Sequence, residues 1–137
     1  IDYDMTLFFH TGRDIAYVGS RSNPKILLKV LKKYPKLRMV AAHFGSYNLW
    51  DDTYEYLAGE NIYFDTSFTL DYIQMELFYK ILEKHGSDLI MFGTDSPWQN
   101  EKKCIESFVQ LGLAADITEK ILYKNAQRLF FEKMKLS

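Results

Sequence analysis

Two histidines and two aspartates in this chain each follow a short apolar run, in repeating order. MTLFFH ends at His10, LRMVAAH at His43, IYFD at Asp65 and LIMFGTD at Asp95. Imidazole nitrogen and carboxylate oxygen together suit zinc and other first-row divalent ions. Neither His10 nor His43 belongs to an HxH or HxxxH pair, so coordination has to be assembled from separate segments. Each residue also has a plainer explanation. His10, after Phe8 and Phe9, is as readily a packed core histidine as a ligand. His43 follows Ala41 and Ala42, small neighbours that let a ligand approach or simply ease packing. Asp95 must be hydrogen-bonded, paired or metal-bound if buried, unless it caps the turn before Pro97. Asp65 could orient a metal ligand from behind, but bonding of local backbone amides is the preferred reading. Arg13, Arg21 and Trp98, on loops after strands, could grip a substrate; solvated arginines and a packing tryptophan explain them equally well. His85, between Lys84 and Gly86, ends a helix where a surface cation is favoured.

The elements that must carry these groups are legible from periodicity. Strands are expected over residues 5–10, 37–43, 62–65 and 88–93, each a short apolar run bounded by turn residues. Between them lie amphipathic segments. Asn23-Pro24 starts a helix with Ile26, Leu27, Val30 and Leu31 on one side, and Tyr34-Pro35 stops it. A short helix spans 48–57 before Gly59, and Met75, Phe78, Ile81 and Leu82 mark another. Ile105, Phe108 and Val109 mark a fourth. A last helical stretch runs from about 118 to 134, with a break expected near Tyr123. Strands apolar on both faces and separated by helices predict a parallel α/β sheet with right-handed crossovers. Four such units fit half of an eight-stranded (β/α)8 barrel, whose chemistry gathers on the loops where strands end. A small doubly wound sheet is the alternative. The absence of GxGxxG or P-loop patterns argues against its nucleotide-binding form.

With 137 residues, the chain has room for one domain and one core. Ten Phe and ten Tyr exclude a disordered segment. The 17 basic and 18 acidic residues leave a net charge of −1, with no basic stripe for nucleic acid. Apolar runs are too short for a membrane span. Cys104 stands alone, so no disulfide framework or cysteine metal cluster forms. A cytoplasmic enzyme acting on a small molecule is the class expected. The chain opens on Ile1 rather than Met, which predicts that a segment upstream has been removed.

His10-Thr11-Gly12, Ala42-His43-Phe44-Gly45, Tyr63-Phe64-Asp65-Thr66-Ser67 and Gly93-Thr94-Asp95-Ser96-Pro97-Trp98 occur in that order. Tyr34-Pro35-Lys36-Leu37 precedes the second strand, and Asn125-Ala126-Gln127-Arg128-Leu129-Phe130 lies near the end. Together they resemble the C-terminal half of the amidohydrolase-related family of metal-dependent hydrolases. The resemblance implies strands five to eight of a distorted (β/α)8 barrel, a divalent ion such as zinc, and a small amide, lactone or ester substrate. It makes His10 and Asp95 metal ligands, with Asp95 also taking a proton from the attacking water. His43 becomes a second metal ligand in some members and an acid–base group in single-metal ones, the role preferred here. The family's HxH pair is absent from this sequence, whose three histidines are all accounted for. Two ligands fall short of the three or more of catalytic zinc, and a whole barrel takes about 250 residues. An incomplete site is therefore expected, completed by a missing N-terminal half or a homo-oligomer partner. Two alternatives stay open: a non-oxidative decarboxylase of the same fold, and a half-barrel inactive until it associates.

Overall fold

The computed structural model describes residues 5–14 and 22–131. Four parallel strands lie in sequence order: β1 (Thr6–Phe9), β2 (Arg38–Ala41), β3 (Tyr63–Asp65) and β4 (Ile90–Met91). The connections carry α1 (Pro24–Lys33), α2 (Trp50–Tyr56) and α3 (Met75–His85). After β4 come α4 (Glu101–Val109), α5 (Ala115–Glu119) and α6 (Asn125–Phe130). The α/β class and partial-barrel architecture expected from the periodicity are what the chain adopts. No helix among the described residues is long and apolar enough to cross a membrane. Arg21 and Met134 lie outside the described residues.

Register explains the two-sided burial. Leu7 pairs with Met39, Phe9 with Ala41, and Phe64 with Ile90. Met39, Ala41, Phe64 and Ile90 face the helices in one core with Leu27, Phe78, Ile81 and Phe108. The alternate positions Val40, Tyr63 and Met91 face the other way and pack against Leu129 and Ala126 of α6. α6 thereby covers part of the sheet face turned away from the other helices. Leu7 and Phe8 of β1 remain 45% and 53% exposed.

Local signals set the element ends. Asn23 caps α1 by accepting the Ile26 N–H (3.0 Å), with Pro24 next and Lys32 and Lys33 in the last turn. The fourth strand is shorter than expected because residues 87–89 form a 3-10 turn before it. The break anticipated near Tyr123 is a π-helical turn over Lys120–Lys124. There the Phe92 N–H donates to the Ile121 carbonyl (2.7 Å), so the π turn extends the pairing of β4. Asn125 adds two bonds, its Nδ2 donating to the Ser87 and Ile90 carbonyls at 2.7 Å each.

His85 is corrected from a surface cation to a buried neutral ring. It stacks on Phe64 (centroids 4.0 Å apart), and its Nδ1 accepts the Gly59 N–H at 3.1 Å. Burial pushes its pKa down to about 4. An unfolded histidine titrates near 6.5, so the unfolded chain binds the extra proton between those values. The contribution of His85 to stability is whole above about pH 6.5 and is lost as pH falls toward 4. It amounts to about 3 kcal/mol at most. Denaturant melts at pH 7 and pH 4 should show a larger acid loss in the parent chain than in His85→Gln, whose amide oxygen can still accept from Gly59. Equal losses would contradict the assignment.

Candidate active site

The segment after β2 turns through three consecutive left-handed residues, His43 (φ 63°), Phe44 (55°) and Gly45 (87°). The two non-glycine residues cost on the order of 1–3 kcal/mol each in this region. A Cβ on Gly45 would lie 2.6 Å from Thr53 Cγ2, so glycine is required there. What holds the turn is Asp65 at the end of β3. Its Oδ1 accepts the His43 N–H (2.9 Å), the Ser67 N–H (3.0 Å) and the Ser67 hydroxyl (2.7 Å). The Asp65 carbonyl accepts the Phe44 N–H (2.6 Å), and the Trp50 indole N–H donates to the His43 carbonyl (3.0 Å). Burial pushes the Asp65 carboxyl upward, and the hydrogen bonds from Ser67 and His43 pull against it.

The same network fixes the His43 ring. The Ser67 hydroxyl spends its proton on Asp65, so at 3.0 Å from His43 Nδ1 it accepts. The Ser67 carbonyl, 3.2 Å from Nδ1, is also an acceptor. The proton therefore sits on Nδ1 and the Nε2 lone pair faces the cavity, where the His10 Nδ1–H donates to it at 2.9 Å. Burial, partly opposed by the Asp65 charge, holds the His43 pKa below the ordinary histidine value.

His10 reaches this position because the β1 loop zips onto the β2 loop. Tyr47 N–H donates to the Thr11 carbonyl (2.8 Å), Arg13 N–H to the Tyr47 carbonyl (2.9 Å), and the Thr11 hydroxyl to the Ala42 carbonyl (2.7 Å). Gly12 (φ 104°) permits this contact, since a Cβ there would lie 2.3 Å from Tyr47 backbone atoms. Gly93 lets β4 end close to Asp65, where a Cβ would fall 3.1 Å from the carboxyl carbon.

A cavity of about 440 Å³ opens at this end of the sheet, lined by His10, Arg13, His43, Tyr47, Phe68, Asp95 and Trp98 among others. Of the residues singled out in the sequence, His10, His43, Asp95, Arg13 and Trp98 thus share one cavity, while Asp65, behind His43, lines a neighbouring opening with His10, His43 and Asp95. Asp95 is exposed, in a left-handed conformation (φ 54°). Among the described residues no three His, Cys, Asp or Glu side chains converge to hold a metal ion. The donor types suit a divalent ion; their number is incomplete. Ser67, Tyr47 and Phe68 were not singled out. Asp-Thr-Ser is a signal for a side-chain-bonded turn that could have pointed to Ser67; the two aromatics carry no local signal.

The amidohydrolase family's sequence pattern matches residues 1–131. No curated protein matches the chain. An uncharacterized TIM-barrel protein from Bordetella bronchiseptica is 26% identical with a TM-score of 0.73, over 93% of this chain and 46% of that one. A dihydroxybenzoic acid decarboxylase from Polaromonas, solved with manganese and the inhibitor 2-nitroresorcinol, is 24% identical with a TM-score of 0.60, over 74% and 36%. A putative 2-pyrone-4,6-dicarboxylic acid hydrolase from Pseudomonas putida is 18% identical with a TM-score of 0.66, over 94% and 52%. This chain thus spans between about a third and half of those structures' lengths.

Asp65→Ala leaves two backbone N–H groups and a hydroxyl without their acceptor and releases the left-handed turn. At about 1–3 kcal/mol for each of the three stranded donors, the loss should reach roughly 3–9 kcal/mol. Urea unfolding measures it; a loss under about 1 kcal/mol would show that Asp65 does not hold the turn.

Proposed function

Because the chain belongs to the amidohydrolase family, we propose that it carries part of a metal-dependent active site that hydrolyses a small amide, lactone or ester. The observation that carries this reading is that His10, His43 and Asp95 line one cavity at the ends of parallel strands. His10 and Asp95 would hold the ion, zinc in this reading, which when bound supplies an acidified water and a polarised carbonyl. The Asp95 carboxylate, facing the cavity, takes the proton from the attacking water. His43, neutral through burial and with its bare Nε2 toward the cavity, would take up there the proton that Asp95 removes from the water and pass it to the substrate's leaving atom. Ser67 and Asp65 keep its ring from turning. Arg13 supplies a cation at the rim, and Tyr47, Phe68 and Trp98 supply flat apolar walls.

The rest of the donor set would come from a further half-barrel or a second copy. The exposed Leu7 and Phe8 support this, since β1 pairs only with β2 among the described residues. A second reading, decarboxylation of an aromatic or unsaturated carboxylic acid, is favoured by the ring-lined walls beside Arg13, which suit a flat carboxylate. In it His43 would first take up a proton on Nε2 from solvent or an acid in the cavity and then give it to the carbon that loses the carboxylate.

Panels of lactones, amides and aromatic acids, offered to the complete protein loaded with zinc or manganese, separate the two. Turnover of lactones or amides supports hydrolysis, and loss of carbon dioxide from aromatic acids selects the second reading. Asp95→Asn should lower turnover by about 10²–10⁴-fold. His43→Asn should fall comparably while keeping the metal that His10→Ala loses, as read by atomic emission. Full activity in both Asp95→Asn and His43→Asn would contradict the assignment.

A further inference from the structure

Phe68 follows the Asp65-Thr66-Ser67 turn with φ 46°, in the left-handed region that an aromatic residue seldom occupies. Such a conformation persists only where the surroundings determine it, and such residues gather where ligands are clamped. The determinant comes from a different loop. The Phe68 N–H donates to Gln99 Oε1 at 2.7 Å, and Gln99 Nε2 donates to Asp71 Oδ2 at 3.3 Å. One side chain from the β4–α4 connection thus ties the β3–α3 loop at two points. The ring it holds sits edge-on to His43 (centroids 6.0 Å, 84°) and to Tyr47 (6.2 Å, 83°), and stacks on Tyr72 (6.0 Å, 24°).

A second cavity, also about 440 Å³, lies toward α4, lined by Asp71, Gln99, Asn100, Lys103, Ser107 and Gln110 among others. Phe68 and Trp98 border both cavities. Trp98 is 77% exposed and makes a loose boundary. Phe68, half-buried and tied through its backbone, makes the firm one.

We propose that Phe68 is a specificity-determining partition. Its ring closes the first cavity on the α4 side, so that substrates are limited to compact, single-ring compounds, and Gln99 is the positioning residue that holds it there. The proposal rests on the reading of the first cavity as the active site. Elongated two-ring compounds are excluded because the space beyond His43 is filled by a ring held by its stack on Tyr72 and its edge-on contacts with His43 and Tyr47, on a backbone that the Gln99 bond fixes in place. With the ring gone, the two cavities become continuous, and a longer substrate reaches a polar chamber able to solvate its far end.

The test compares benzoate and biphenyl-4-carboxylate as probes, titrated by calorimetry into the complete, metal-loaded protein. Benzoate supplies a flat ring and an anion for Arg13; the biphenyl adds only length. The parent protein should bind benzoate at least tenfold more tightly than the biphenyl, and Phe68→Ala should erase or reverse that preference. Gln99→Ala keeps the ring but frees it, and should relax the ratio about threefold or more. The double variant Gln99→Glu with Asp71→Asn restores an acceptor for Phe68 and a donor at position 71, and should recover the ratio, which a merely structural lesion would not do. An unchanged ratio in Phe68→Ala or in Gln99→Ala overturns the partition, as does failure of the parent protein to bind benzoate. A shifted ratio in a protein that neither takes up metal nor turns substrate over supports the partition while removing the catalytic reading. An unshifted ratio beside turnover that depends on His43 does the reverse.

Discussion

One carboxylate oxygen organises the functional end of this chain. Asp65 Oδ1 accepts from the His43 backbone, the Ser67 backbone and the Ser67 hydroxyl at once. A buried carboxylate is unfavourable unless such donors surround it, and the donors are unfavourably buried without it. The mutual dependence fastens the end of β2 to the end of β3. It holds two non-glycine residues left-handed in succession and leaves His43 with one ring orientation. Remove the oxygen, and the strained turn, the ring and the cavity wall lose their common support.

The parallel crossovers do the larger-scale work. Each helix returns the chain to the same end of the sheet, so residues far apart in sequence emerge together after β1, β2 and β4. Small-residue positions then set the separations: Gly12 admits the Tyr47 backbone, and Gly93 admits the Asp65 carboxyl. Proximity stops short of a metal cage. Four metal-competent side chains, His10, Asp14, His43 and Asp95, share a cavity and, among the described residues, no three converge on one point, on a sheet whose first strand exposes Leu7 and Phe8. Among the described residues the donor set and the cover over β1 are both partial, and the proposed function assigns the remainder of both to one further element.

The strand–helix alternation was legible because apolar runs and their breakers are local signals, as with the Asn23-Pro24 start and Gly86 stop of the first and third helices. The grouping of His10, His43 and Asp95 at one end followed from the alternation alone. What stayed hidden is tertiary. His85 reads as a helix-end cation, since nothing near it in sequence announces that Phe64 will stack on it. The break near Tyr123 is legible, but its form, a π turn at Lys120–Lys124 whose Ile121 carbonyl accepts the Phe92 N–H, is not. Ser67 is legible as a turn residue but not as the acceptor for an imidazole 24 positions away. Phe68 and Gln99 meet only because two loops do.

The central claim is that this anchor fixes His43 as the Nδ1–H tautomer with Nε2 toward the cavity. Two-bond proton–nitrogen correlation spectra of the imidazoles read it directly, with His43 assigned through its loss in His43→Asn. The expected result is a protonated Nδ1 and an unprotonated Nε2 near neutral pH, with that pattern lost or averaged in Asp65→Ala. A His43 ring protonated on Nε2 in the parent chain, or one exchanging freely between tautomers there, would contradict it.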